Sequence, residues 1–208
     1  FLLEIDVVAH NCNNQSLCQI DSYLESSIFC FMHNSIFKNN NDSTCSYSIW
    51  ILPDENLFAY LSSIIRKISL KYGGPIFHPH ITVIGGFQGD QKNLIKKTFK
   101  FAESIDCLKI IFNGIGYHND IFYSLFLKVL LTEELLRVRK IAEDNFKLFL
   151  GNYKPHLSLT YGNYEDHQKL EMLDVIKEVP ACFIANKICL AKNNERKLKW
   201  EIIDSFNC

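Results

Sequence analysis

The sequence predicts an α+β fold, because strand-like and helix-like stretches follow one another in a mixed order. Two pairs of β-rich runs stand side by side in the chain, at residues 108–117 with 121–131 and at residues 182–190 with 198–206. Other stretches carry apolar residues at helical spacing. A count of about seven strands and four helices, with like and unlike neighbours, excludes a regular parallel sheet wound with helices.

The first predicted strand and helix have clear boundaries. Residues 47–52 form a β-rich apolar run that stops at Pro53. Asp54 can cap the helix that follows, and the sequence Gly73-Gly74-Pro75 ends it. The apolar side chains of this helix recur every three or four positions: Leu57, Leu61, Ile64, Ile65 and Ile68. This stripe predicts a helix that packs one face against a sheet.

The remaining elements are predicted in the same way. A turn at residues 118–120 joins two strands of a hairpin, of which the second covers residues 121–131. Thr132 opens a helix that carries Phe149 on its apolar face and ends at Gly151. The other predicted segments are strands at 78–87, 155–161, 182–190 and 198–206 and helices at 91–104 and 164–178.

The first 46 residues differ in composition from the rest of the chain. Apolar patches alternate there with asparagine-rich stretches, such as residues 11–14 and 39–42. Such a segment has little apolar surface with which to offset the entropy of ordering. We therefore predict an N-terminal extension at residues 1–46, disordered in part, and a folded domain at residues 47–208.

Charge and composition argue against several kinds of partner. The 22 Lys and Arg residues nearly balance the 23 Asp and Glu residues, so no whole-molecule field attracts duplex nucleic acid or an anionic membrane. No uninterrupted apolar run reaches about 18 residues, which predicts no membrane span. The eight cysteines form no C-x-x-C pair and no metal-ligand spacing with histidine. We expect reduced thiols, a cytoplasmic or nuclear location and a monomer.

Two short segments share one pattern of residue types. Residues 79–83 are Pro-His-Ile-Thr-Val, and residues 155–159 are Pro-His-Leu-Ser-Leu. Alternate side chains of a strand share a face, so His80 projects with Thr82 and His156 projects with Ser158. One such segment is a common accident, but two copies, each behind a proline and each in a different half of the chain, indicate a site.

This pair of segments suits the hydrolysis of a phosphodiester. One group must take a proton from water and another must give one to the leaving sugar oxygen, and imidazole can do either near neutral pH. His80 and His156 are therefore the candidate acid and base. The hydroxyls of Thr82 and Ser158 can donate hydrogen bonds to phosphate oxygens as negative charge develops. This chemistry requires neither a metal nor a cofactor.

The paired motif resembles that of the 2H phosphoesterase superfamily, and the surrounding sequence resembles its eukaryotic, plant-type cyclic phosphodiesterase branch. The resemblance covers residues 47–206. Beyond the two motifs, the similar segments are residues 47–50, 52–54 and 74–77, Tyr161, and Trp200 with Glu201. His78 is not part of the family motif, and the cysteines do not fall where the plant branch pairs them.

The resemblance implies a bilobal fold in which two antiparallel sheets, with helices outside, face each other across a cleft. It implies hydrolysis of ADP-ribose 1″,2″-cyclic phosphate, a by-product of tRNA splicing, to ADP-ribose 1″-phosphate, and of nucleoside 2′,3′-cyclic phosphates to 2′-phosphates. By position, Trp50 and Tyr161 would line the substrate pocket beside the catalytic set of His80, Thr82, His156 and Ser158. Two alternatives stay open: an RNA 3′-end-processing phosphodiesterase of the same superfamily, and a non-catalytic nucleotide-binding module.

Overall fold

The computed structural model describes residues 45–194 and 197–208, which form eight β-strands and four α-helices. The strands are β1 (Ser46–Ile51), β2 (Ile81–Phe87), β3 (Leu108–Gly116), β4 (Leu125–Val129), β5 (His156–Thr160), β6 (Cys182–Ala185), β7 (Lys187–Asn194) and β8 (Lys199–Asn207). The helices are α1 (Glu55–Tyr72), α2 (Gln91–Glu103), α3 (Glu133–Phe146) and α4 (Asp166–Leu173). The predicted α+β class is confirmed. The predicted extension at residues 1–46 lies outside the described residues, apart from its last two.

All eight strands belong to one antiparallel sheet with the order β6-β3-β4-β5-β2-β1-β7-β8. We call β1, β2, β7 and β8 the first half, and β3 to β6 the second half. The halves meet between β2 and β5, through the pair Ile81 and Leu157. The ring centroid of Trp200 on β8 lies 5.1 Å from that of Tyr161, just past β5, although three strands separate β8 from β5 in the sheet. The sheet therefore curls, and the two predicted sheets are its two halves.

Strand alternation separates a helix-covered face from the face that carries the paired motif. Ile81 and Val83 of β2, with Leu157 and Leu159 of β5, lie in the large apolar core. The same core includes buried side chains of three helices: Leu57, Leu61, Ile64 and Ile68 of α1, Leu94, Phe101 and Ala102 of α2, and Leu135, Val138, Ala142 and Phe146 of α3. Burying one face in this way fixes which side chains the other face presents.

Helix α1 has the boundaries that the sequence predicts. The Asp54 carboxylate accepts a hydrogen bond of 3.0 Å from the Leu57 backbone N–H, which satisfies one of the unpaired donors of the first turn. At the other end Gly73 has φ = 85°, a left-handed conformation that glycine adopts without a Cβ penalty. The N–H of Gly73 donates to the carbonyl of Ser69. Local hydrogen bonds therefore set both ends of this helix.

The predicted strand at residues 121–131 is wrong over its first four residues. A 3₁₀ turn, Ile121–Tyr123, precedes β4. The Asp120 carboxylate accepts a hydrogen bond of 2.8 Å from the Phe122 N–H, and the Tyr123 N–H donates to the Asp120 carbonyl at 3.1 Å. These local bonds compete with the extended ladder that the β-rich composition favours.

The predicted end of α3 at Gly151 is also wrong. The helix ends at Phe146, and Lys147 takes a left-handed conformation with φ = 55°. Phe149 therefore lies beyond the helix and is 93% exposed. The left-handed cap is occupied here by a lysine, a residue type for which this conformation is uncommon, so the sequence carries no signal for it. Helix α4 ends at Leu173, before the predicted residue 178.

Candidate active site

The two copies of the motif lie on neighbouring strands, β2 and β5, which run antiparallel. Because Ile81 faces Leu157 in this pairing, the antiparallel register sets His80 opposite Ser158 and Thr82 opposite His156. All four side chains share the face opposite the helix-covered core. The register thus forms a compact square in which each histidine faces the hydroxyl residue of the other motif.

Each histidine is oriented by the same kind of backbone contact, with the carbonyl two residues earlier in the chain. The Nδ1 atom of His80 lies 2.7 Å from the carbonyl oxygen of His78, and Nδ1 of His156 lies 3.0 Å from the carbonyl oxygen of Lys154. A carbonyl can only accept, so Nδ1 carries the proton and donates in each case. Nε2 is then the nitrogen with which each ring can exchange a proton. His78 contributes its carbonyl, while its own side chain is exposed.

Each histidine also rests against an aromatic ring from its own half of the sheet. The Trp50 ring on β1 stacks on His80, with 3.6 Å between ring centroids and 14° between planes. The Tyr123 ring of the 3₁₀ turn lies against His156, with 4.1 Å between centroids and 35° between planes. The arrangement of the two imidazoles is therefore similar, but the supporting ring differs.

Burial holds both imidazoles in the neutral form. His80 is 6% exposed, and burial lowers its pKa from 6.5 to about 3, with further lowering by the positive fields of His156 and His78. The hydrogen bond to the His78 carbonyl opposes this shift. Burial also lowers the pKa of His156, with a contribution from His118, while the bond to Lys154 opposes it. At neutral pH both Nε2 atoms can therefore accept a proton.

The two hydroxyl residues have different surroundings. Thr82 is half-buried, and its carbonyl accepts a 2.9 Å hydrogen bond from the Tyr153 hydroxyl. Ser158 is 3% exposed, and its hydroxyl donates to the carbonyl of Phe122 at 3.4 Å. This is a long bond, which a stronger acceptor such as a phosphate oxygen can replace.

The two predicted pocket residues, Trp50 and Tyr161, are both packed. Trp50 is 1% exposed, and one face of its ring is covered by His80. Tyr161 stacks on Phe77 with 4.2 Å between centroids and meets Phe122 edge-on at 5.7 Å. Burial raises the pKa of Tyr161 to about 12, and the neighbouring Ser158 side chain opposes this shift. Both residues adjoin the predicted catalytic set, and their contact with substrate stays a prediction.

Sequence reasoning missed the support that Tyr123 gives to His156. The 120–123 turn replaced a predicted strand, so the position of the ring could not be read from strand parity. His118, whose field reaches His156, lies in the predicted turn, and that position gives no sign of its influence on the site. A signal was present in the sequence His118-Asn119-Asp120, because Asp before a β-rich run can bond its own backbone two residues on.

Within residues 45–194 and 197–208, no group of three or more His, Cys, Asp or Glu side chains is placed to hold a metal ion. Among the helices described, none is both long and apolar enough to cross a membrane. The cysteines described, Cys45, Cys107, Cys182, Cys189 and Cys208, are free thiols. The predictions of a monomer and of a cytoplasmic or nuclear location stay predictions.

The curled antiparallel sheet with one His-x-Thr and one His-x-Ser motif on its open face defines a 2H phosphoesterase. Residues 45–208 match the family described as cyclic phosphodiesterase-like protein. The chain belongs to this family. The predicted superfamily, its plant-type branch and the enzyme class, a cyclic phosphodiesterase, are confirmed.

A plant relative agrees with this assignment, and two solved structures share the fold. The chain is 26% identical over 127 residues to a cyclic phosphodiesterase of Arabidopsis thaliana, across 59% of this chain and 68% of the relative. It is similar in fold to the protein TT0787 of Thermus thermophilus, with a TM-score of 0.55, 16% identity, and coverage of 78% of this chain and 97% of that one. It is also similar to E. coli LigT solved with 3′-AMP, with a TM-score of 0.51, 10% identity, and coverage of 79% and 98%.

Proposed function

We propose that this enzyme opens small cyclic nucleotide phosphates without a metal ion, by proton transfer between His80, His156 and the substrate. The proposed substrates are ADP-ribose 1″,2″-cyclic phosphate, which yields ADP-ribose 1″-phosphate, and nucleoside 2′,3′-cyclic phosphates, which yield 2′-phosphates. The observation that supports this proposal is the square of His80, Thr82, His156 and Ser158 across the β2–β5 pair. The plant relative, a cyclic phosphodiesterase, supports the same substrate class.

In the proposed reaction, one imidazole accepts a proton at Nε2 from a water molecule while the water oxygen attacks phosphorus. The bond from phosphorus to one sugar oxygen breaks, and the other histidine gives its Nε2 proton to that oxygen. This histidine carries a proton in the complex because the negative charge of the bound phosphate raises the pKa of a neighbouring imidazole. The hydroxyls of Thr82 and Ser158 donate to the non-bridging oxygens as their charge grows. One water is consumed, one phosphodiester bond is cleaved, and the histidines end with their protonation states exchanged. Solvent then restores them.

The size of the ligand is supported by a solved relative. E. coli LigT has been solved with 3′-AMP, a mononucleotide. The near-neutral net charge of −1 also favours a small ligand over a long polyanion, which needs an extended basic channel.

The test is turnover by the purified full chain in excess chelator. ADP-ribose 1″,2″-cyclic phosphate and 2′,3′-cyclic AMP are the substrates, and a short oligoribonucleotide is the comparison. Hydrolysis of either cyclic phosphate at an unchanged rate in chelator supports the proposal. Trimming of the oligonucleotide with no action on the small substrates would establish the RNA-processing alternative. Binding without product on all three would establish a nucleotide-binding module.

A further inference from the structure

Tyr123 contacts His156 directly through its ring and indirectly through a backbone carbonyl that both residues share. Its ring lies 4.1 Å from the imidazole, and its hydroxyl donates to the Lys154 carbonyl at 3.5 Å. That carbonyl is the one that accepts the Nδ1 proton of His156 at 3.0 Å. One oxygen atom therefore serves two donors, the phenol and the imidazole.

The 120–123 turn that carries Tyr123 is held on both sides. Within it, the Asp120 carboxylate and carbonyl accept from the N–H groups of Phe122 and Tyr123. The His118 N–H donates to the Tyr123 carbonyl at 2.9 Å, and the Gly162 N–H, just past β5, donates to the Ile121 carbonyl at 3.0 Å. The turn is thus hydrogen-bonded to the segment that follows β5, the strand that carries His156.

We propose that Tyr123 is a positioning residue for His156, because its ring supports the imidazole and its hydroxyl shares the carbonyl that fixes Nδ1. An imidazole that makes one hydrogen bond can still tilt about its side-chain torsions, and an aromatic ring in contact with its face restricts this tilt. Nε2 is then kept on the open face of the sheet. The same turn accepts the Ser158 hydroxyl at Phe122, so one segment orients both active groups of the second motif.

The shared carbonyl also tunes the acidity of His156. A carbonyl that already accepts from a phenol stabilises an imidazolium less well. Other charged or titratable side chains face His156 or its contacts from the surrounding elements: His80 before β2, His118 after β3, Asp120 in the turn, Lys128 on β4, Lys154 before β5 and Tyr161 after it. These are present in every variant below, so differences between variants report on Tyr123.

The test compares Tyr123→Phe, which removes the hydroxyl, with Tyr123→Leu, which removes the ring. Tyr60→Phe on α1 is the matched control, because that phenol accepts the Glu178 N–H away from the paired motif. NMR titration of the imidazole signals, assigned with His156→Gln, gives the pKa of His156 without any need for turnover. The kinetic part rests on the proposed function and uses 2′,3′-cyclic AMP across pH.

We expect the pKa of His156 to rise in Tyr123→Phe, because the Lys154 carbonyl is left to the imidazole alone, while kcat stays within about threefold. In Tyr123→Leu we expect kcat to fall roughly 10- to 100-fold with KM within about twofold, because orientation and not binding is lost. If both variants titrate and turn over like Tyr60→Phe, Tyr123 only packs and the inference is wrong. If the wild type turns over no cyclic phosphate, the proposed function fails, and the titration still decides the role of Tyr123.

Discussion

The first and second halves of the sheet place the same short motif in different surroundings. His80 lies over the indole of Trp50, on a neighbouring strand, and is 6% exposed. His156 lies against Tyr123, on a turn, and is partly exposed. Both rings donate through Nδ1 to the carbonyl two residues earlier. Burial is the largest cause of the lowered pKa of both imidazoles, and His80 is the more deeply buried of the two.

This difference favours one order of proton transfer. The group with the lower pKa is the one that is neutral over the wider pH range, so it is the better placed base, while its partner is more often protonated. Burial gives His80 a pKa of about 3. We therefore expect His80 to act as the base and His156 as the acid in ring opening. The opposite order would give a pH profile of the same shape, so the profile alone does not separate the two.

The largest expected effect is the loss of either histidine. His80→Ala and His156→Ala should each lower kcat on a cyclic phosphate by roughly 10²- to 10⁴-fold, because each removes one proton transfer. The double variant should be little worse than the poorer single one, since the two groups act in one step. Circular dichroism and thermal unfolding serve as the fold control. Full turnover in both single variants would rule out the paired-histidine mechanism.

Much of this site could be predicted from the sequence. His80 with Thr82, and His156 with Ser158, share a face because strand geometry fixes alternate positions. The Asp54 cap is equally local. The register that sets His80 opposite Ser158 was beyond reach, because it joins segments more than 70 residues apart in a sheet that the core determines. The role of Tyr123 could not be predicted, because the Asp120 side chain stabilises a turn where the composition favours a strand.

The second effect concerns stability in acid. The pKa of His80 is lowered from 6.5 to about 3 in the folded state. The stability that neutral His80 allows is therefore fully present above pH 6.5, and the free energy of unfolding falls as pH falls towards 3, because the unfolded state takes up the proton first. At about 1.4 kcal/mol for each pKa unit, the whole loss approaches roughly 5 kcal/mol. Urea unfolding at pH 7 and at about pH 3.5 should show a loss in the wild type that His80→Gln reduces more than His156→Gln, because the folded pKa of His80 is the one that burial lowers to about 3. Equal behaviour of the two variants would contradict the difference in burial.

The third effect compares the two hydroxyls. Thr82→Val should lower kcat about 100-fold, as expected for one preorganised donor to a developing oxyanion. Ser158→Ala should cost nearer tenfold, because the Ser158 hydroxyl already donates to Phe122 and must give up that bond to serve the phosphate. Single-turnover rates on 2′,3′-cyclic AMP measure both, with Ser63→Ala on α1 as the control. A greater loss in Ser158→Ala would show that the bond to Phe122 is absent in the complex.

The smallest expected effect is a difference between two substrates in how much activity each histidine variant loses. This difference decides the order of proton transfer. A 3′-deoxyadenosine 2′-(p-nitrophenyl phosphate) releases p-nitrophenolate, which leaves without a proton, whereas the sugar oxygen of a cyclic phosphate needs one. If His156 is the acid, the loss caused by His156→Ala should be at least about tenfold smaller on the nitrophenyl ester than on the cyclic phosphate. His80→Ala should lose as much on both, because water must still be deprotonated. The reverse pattern would assign His80 as the acid. It would mean that the bound phosphate, whose negative charge raises the pKa of a neighbouring imidazole, has a larger effect on His80 than its burial in the free enzyme.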